Sequence, residues 1–370
     1  MLVLAVLALA ACGGSSDDGP DAAPTTVSTP DAEVEEGPTT TRASCLEQLP
    51  IERLVRLVPL PMVVDGTDVS GMVDRVGGIG LVGPHSAAGV AAIRAAIDAA
   101  ALPPFLASDE EGGTVQRVKA ALGPQPSAAR IASMPRAEAE AIYDTYAAGM
   151  ARLGIDMNFA PTLAVGDRAL GSRSYGDDPE VVADRAGLFV DAMHRTGVLP
   201  VLKHFPGLGG AEENTDDRAA ASAPLAELER RDLVPYQRLL GDAPVGLMMS
   251  HVVVPDLTAD LPASLSAAAY DYVSDEYDFD GLVVTDSLGA GAIAGRWSIP
   301  DAAVLAVSAG ADMVVFTDPS QLDPVLGALS AAVADGRVPA SRLQGAASAV
   351  LDARAVDPCS LLGSAGDTAP

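Results

Sequence analysis

From residue 59 onward the chain alternates short apolar runs with longer stretches in which small apolar residues return every three or four positions. The runs are 59–64 (PLPMVV), 77–83 (GGIGLVG), 103–109 (PPFLASD), 154–161 (GIDMNFAP), 197–204 (GVLPVLKH), 245–251 (VGLMMSH), 281–286 (GLVVTD) and 311–317 (ADMVVFT). Runs this short and this continuously apolar read as strands buried on both faces. The stretches between them, such as 86–101, 138–153 and 178–197, have the length and composition of amphipathic helices. Strands alternating with helices predict an α/β protein with a parallel sheet covered on its outside. Eight such units in about three hundred residues fit a single-domain TIM (β/α)8 barrel better than an open sheet.

Polar residues gather where the runs end: Asp109, Asn158, Lys203 with His204, Ser250 with His251, Asp286, and Thr317 with Asp318. In a barrel those ends share one face, and the loops there build the active site. Each residue alone could equally cap the following helix; their joint occurrence points to a site. The stretch 197–217 is the sharpest case, because an apolar strand ends in Lys203-His204 and runs straight into a loop of glycines and carboxylates. Lysine and imidazole at that position are donors suited to a polyhydroxylated or anionic ligand. The plain alternative is a strand leaving the core with solvated charges.

Other chemistry has less support. Gly78-x-Gly80-x-x-Gly83 matches a dinucleotide fingerprint, but the glycines lie inside an apolar run with no acidic partner downstream, so a close-packed strand is expected. The chain has no Walker loop, no HExxH and no GxSxG, which leaves nucleophilic serine and metal chemistry without support. No cofactor is expected. A net charge of −27 and a pI near 4.2 argue against nucleic acid or an anionic membrane surface as partner.

Residues 1–12 are continuously apolar, too short to span a bilayer, and end in small residues, which reads as a signal segment. Leu9-Ala10-Ala11-Cys12 resembles a bacterial lipobox, which implies cleavage before Cys12 and lipidation of its thiol. No Lys or Arg precedes the run, and a short buried helix is the alternative. Residues 13–44 are rich in Gly, Ser, Pro, Thr and acids and read as a disordered tether, with a second disordered tail at 360–370. The folded barrel is expected over 45–359, as an extracytoplasmic monomer that is lipid-anchored or secreted. Cys45 and Cys359, an even pair at the two ends of that region, suggest a disulfide in an exported protein. Two free buried thiols are the alternative.

Four segments bring a family into view: 108–117 (SDEEGGTVQR), 156–161 (DMNFAP), 203–207 (KHFPG) and 283–286 (VVTD), supported by 171–176, 249–252 and 262–266. Together they resemble glycoside hydrolase family 3, specifically its single-domain β-N-acetylhexosaminidases. The resemblance implies retaining hydrolysis of a terminal β-linked N-acetylglucosamine, with peptidoglycan fragments such as muropeptides as its expected source. It implies Asp286 as the nucleophile and Asp109, Arg117, Arg173, Lys203 and His204 as the residues binding the sugar hydroxyls. His251 falls in the same ring of loops. His85 and His194 look peripheral.

The chain departs from the family in the loop after Lys203-His204. The family pattern places a histidine directly after KHFPG, and an Asp-Ser-His segment follows whose histidine is the general acid/base. Here Leu208 replaces the first histidine and Asn214-Thr215-Asp216 stands where Asp-Ser-His is expected. In one reading Asp216 protonates the leaving oxygen, oriented by Asn214, with Glu212, Glu213 and Asp217 raising its pKa by like-charge repulsion. In the other the acid is lost and the domain is a glycan-binding lipoprotein. Ala164, where family members often carry an acid, adds some weight to that second reading. The surviving Asp286 and sugar-binding set favour an enzyme, with a β-glucosidase as the nearest rival specificity.

Overall fold

The computed structural model describes residues 41–166, 168–208, 210–241 and 244–362. Cys12, the signal segment and most of the expected tether lie outside the described residues, as does the chain from 363. All eight apolar runs are strands: β1 Pro59–Val63, β2 Gly78–Leu81, β3 Phe105–Ser108, β4 Met157–Asn158, β5 Leu199–Phe205, β6 Gly246–Met249, β7 Val283–Thr285 and β8 Val314–Phe316. They form one parallel sheet in the order β8-β1-β2-β3-β4-β5-β6-β7. A parallel bridge from Val284 to Met313 joins the last strand to the first, and Thr285 N–H donates to the Met313 carbonyl at 3.1 Å. The ring therefore closes as the predicted barrel.

Every residue of β1, β2, β3, β6, β7 and β8 is buried, as expected for strands covered by helices on one face and packed against each other on the other. The glycines of 78–83 have a packing role. A Cβ at Gly78 would lie 2.9 Å from the Leu60 side chain, and one at Gly80 would collide with Met62. The bare backbone of β2 thus leaves room for the larger side chains of β1, and Gly83 closes the strand at φ +71°.

The helices follow their local signals. Ser86 caps Ala87–Asp98, its hydroxyl accepting from Gly89 N–H. Asp178 caps Pro179–Thr196, which has proline in its first turn and ends at Gly197 in the left-handed region. The chain becomes ordered earlier than its composition suggests. Thr41 caps a helix over Arg42–Gln48, which begins inside the stretch expected to be tether. Cys45 there is fully buried and disulfide-bonded to Cys359, with Cα atoms 5.1 Å apart. Arg42 adds an ion pair to Asp352. At the other end, residues expected to begin the tail instead complete the 3-10 turn Pro358–Leu361.

Candidate active site

The site is built at the carboxyl ends of the strands. After β3 the chain forms a small antiparallel hairpin, Glu110–Gly112 against Val115–Gln116. Successive side chains of an extended segment point to opposite sides, so Asp109 and Glu111 face the barrel mouth while Glu110 turns into the wall. There the buried Glu110 carboxylate accepts from Ser108 Oγ (2.8 Å), Tyr146 OH (2.9 Å), Arg117 N–H (2.7 Å) and Val118 N–H (2.9 Å). Asn158, ending β4, accepts from Glu110 N–H at 2.9 Å. Both residues fix the hairpin instead of facing a ligand.

Lys203 lies within a run of buried residues in β5, and its side chain is only 2% exposed. Its ammonium lies 2.6 Å from Asp109 Oδ1 and 2.5 Å from Glu111 Oε1. Arg173 donates to both Glu111 oxygens, at 2.7 and 2.8 Å, and Arg117 reaches Asp109 at 3.3 Å. Burial opposes charge on Glu111, but Lys203 and Arg173 overcome it and hold the carboxyl far below its ordinary range. Burial likewise pulls Lys203 down, while Asp109 and Glu111 more than restore it and raise its pKa. Glu111 lies inside the 108–117 motif but is not among the sugar-binding residues that the resemblance implies. The structure places it at the centre of the charged network, and the i, i+2 spacing from Asp109 in an extended segment was the available signal.

Asp286 follows β7, its N–H bonded to the Met249 carbonyl and its Oδ1 accepting from Ser287 N–H at 2.7 Å. Burial pushes its pKa up, with Asp216 adding to the rise and His251 opposing it. His204 Nε2 lies 3.9 Å from Asp286 Oδ2. Burial, helped by Lys203 and Arg173, pushes the His204 pKa well down, so the ring is neutral. His251 lies between Ser264 Oγ (2.7 Å) and the Ser287 carbonyl (2.8 Å). A carbonyl only accepts, so Nε2 carries a proton.

Asp216 lines the same cavity of about 200 Å³ as Asp286, Asp109, Arg117, Lys203 and His204. Its Oδ2 accepts from Asn214 Nδ2 and its N–H donates to Asn214 Oδ1, both at 3.1 Å. Of the loop's other carboxylates, Glu212 and Asp217 are exposed, and Glu213 pairs with Arg218 at 3.4 Å. None of these three lines the cavity. Leu208 is buried in the core, and Ala164 is buried with its carbonyl accepting from Ser174.

The remaining polar strand ends divide. Thr317 lines the cavity. Asp318 caps the turn Pro319–Gln321, accepting from Ser320 N–H, and Ser250 is buried with its hydroxyl accepting from Val252 N–H. His85 is buried beside the Gly83 carbonyl and His194 bonds the Pro244 carbonyl on the outer helix. Among the described residues no group of three His, Cys, Asp or Glu is placed to hold a metal ion.

Asp286 thus shares a small cavity with a second carboxylate, Asp216, and with the charged side chains of Asp109, Glu111, Arg117, Arg173 and Lys203. The model of the glycosyl hydrolase family 3 N-terminal domain matches residues 57–353. A β-hexosaminidase, LpqI, of Mycobacterium tuberculosis is 36% identical over 252 residues, which is 65% of this chain and 65% of that protein. The match therefore spans just under two thirds of that relative. The solved structure of Mycobacterium tuberculosis LpqI superposes with a TM-score of 0.80 at 32% identity, covering 84% of this chain and 96% of the other. A family 3 glycosyl hydrolase from Mycobacterium smegmatis superposes at 0.78 with 35% identity, covering 83% and 98%.

Proposed function

Because the chain belongs to glycosyl hydrolase family 3, we propose that it is a retaining glycosidase that removes terminal β-linked N-acetylglucosamine from oligosaccharides and muropeptides. The reading rests above all on Asp286 and Asp216 lining one cavity whose wall carries Asp109, Arg117, Arg173 and Lys203. Arg117, Arg173 and Lys203 offer donors to ring hydroxyls, and Asp109 accepts from them. Glu111, with both oxygens already occupied, keeps Arg173 and Lys203 aimed.

In the first step an Asp286 oxygen attacks the anomeric carbon while the bond to the leaving oxygen breaks, and Asp216 gives its proton to that oxygen. In the second, Asp216 takes a proton from water, which attacks the glycosyl ester and releases the sugar with Asp286 restored. The neutral His204 beside Asp286 adds no cation that would quench the nucleophile. Export to an oxidising compartment is supported by the Cys45–Cys359 disulfide and by the lipobox-like Cys12, which would anchor an otherwise monomeric barrel to a membrane.

The assay is turnover of an aryl β-N-acetylglucosaminide beside the matching β-glucoside. Preference for the first is expected. Preference for the second would make the protein a β-glucosidase. Saccharide binding without turnover of either would favour the second reading, a glycan-binding lipoprotein, which the absence of histidine from the 210–217 loop keeps in play. A pH–rate profile of Asp216→Ala checks the acid: its basic limb should disappear.

A further inference from the structure

The loop carrying Asp216 lies directly on the turn that follows the nucleophile. Gly291 N–H donates to the Asp216 carbonyl at 2.8 Å, and Ala292 N–H donates to the Thr215 carbonyl at 3.1 Å. Thr215 and Ala211 are buried on the loop's inner side, and Asp217 and Arg218 N–H both return to the Asn214 carbonyl. The tip is a tight turn seated on residues 291 and 292.

We propose that Gly291 is a positioning residue for the proton donor, its missing side chain and its N–H together holding the Asp216–Asp217 backbone at the cavity edge. The inference rests on Asp216 being that donor. A Cβ at 291 would lie 2.5 Å from the Asp217 carbonyl carbon, closer still to its oxygen, and 3.0 Å from the Asp216 carbonyl oxygen. These are backbone atoms and cannot swing aside as a side chain would. The backbone of Gly291 is not in the left-handed region, so alanine fits the local conformation and only the close approach excludes it. Gly295, in the same turn of chain, meets nothing nearer than 4.0 Å.

The arrangement ties the two carboxylates together. Asp286 and the seat for Asp216 belong to one segment, 286–292, which is itself pinned by Leu288 N–H to the Val315 carbonyl and Ala290 N–H to the Ser287 carbonyl. Retaining hydrolysis requires the two carboxyl groups at a defined separation, roughly 5–5.5 Å. Setting nucleophile and seat in one short segment makes that separation a local property of seven residues.

The test compares Gly291→Ala, Gly295→Ala and Asp216→Ala on aryl β-N-acetylglucosaminides whose leaving groups range from phenol to 2,4-dinitrophenol. Value kcat/KM reports bond cleavage, which needs an acid only when the leaving group is poor. For Gly291→Ala, kcat/KM should fall about 10²-fold on the phenyl glycoside and less than about threefold on the dinitrophenyl one. Affinity for N-acetylglucosamine and the thermal midpoint should hold, which confirms an intact barrel and sugar site. Gly295→Ala should match the parent. Equal losses across all leaving groups, or no loss, would overturn the role of Gly291. If Asp216→Ala itself shows no dependence on leaving group, the donor assignment fails first and the inference falls with it. If Asp216→Ala discriminates and Gly291→Ala does not, only the inference fails.

Discussion

Lys203 is a lysine buried as deeply as the leucines around it, and two carboxylates beside it make that tolerable. Removing one partner of a buried pair costs about 3–5 kcal/mol, because the remaining charge stays desolvated. Glu111→Gln should therefore lower stability by about 3 kcal/mol at neutral pH, read by denaturant unfolding, and should raise KM as Arg173 and Lys203 lose their common anchor. The pH dependence has a definite sign. The folded-state pKa of Glu111 lies below its ordinary value of 4.5, so its contribution is fully present above that value and drains as pH falls beneath it. The stability gap between parent and Glu111→Gln should be constant from neutral pH down to about pH 5.5 and narrow at lower pH; a gap that widens in acid would contradict the ion-pair account. Asp286 behaves oppositely, since burial raises its pKa. The acid limb of kcat/KM should sit above the ordinary aspartate value of 3.8, measured by a pH–rate profile of the free enzyme.

Among the elements, the eight strands were legible because a strand buried on both faces needs an unbroken apolar run, and few other elements of that length do. Their ends were legible as a set because a barrel gathers them on one face. The helix over Arg42–Gln48 was not. Its segment offers only a Thr41 cap and a few apolar positions, Cys45, Leu46 and Leu49, and these are buried only because the chain's far end packs against them. The Cys45–Cys359 bond closes a loop separated by 314 residues, and cross-links over long loops restrict the unfolded chain most. Replacing both cysteines with alanine should cost about 2–5 kcal/mol in unfolding free energy while leaving kcat/KM at moderate temperature unchanged, since the bond lies away from the site residues. An unchanged denaturation midpoint would show that the bond does not hold the ends. The hairpin after β3 shows the same limit. Asp109, Glu111 and Arg117 face the cavity because Glu110 accepts the backbone N–H groups of Arg117 and Val118, just past the return strand, a pairing that neighbours in sequence do not reveal.

Taken whole, the molecule carries a net charge of −27, which repels anions over a Debye length of about 10 Å at 0.1 M salt. For an anionic muropeptide, KM should fall as salt rises, because screening removes the repulsion. For neutral chitobiose-type substrates it should stay level, and an identical salt response for both would remove charge from the account of substrate choice. Local sequence was enough to specify the barrel and the residue types at its mouth, since strand burial, helix capping and glycine turns act between near neighbours. It also exposed the missing histidine after Lys203-His204. Which carboxylate of the 210–217 loop reaches the cavity depended on long-range packing. Asp216 does so because Thr215 and Ala211 are buried, and because a glycine some seventy-five residues later leaves space for its backbone. Contacts between segments so far apart are set by the closure of the whole barrel, and only the folded chain displays them.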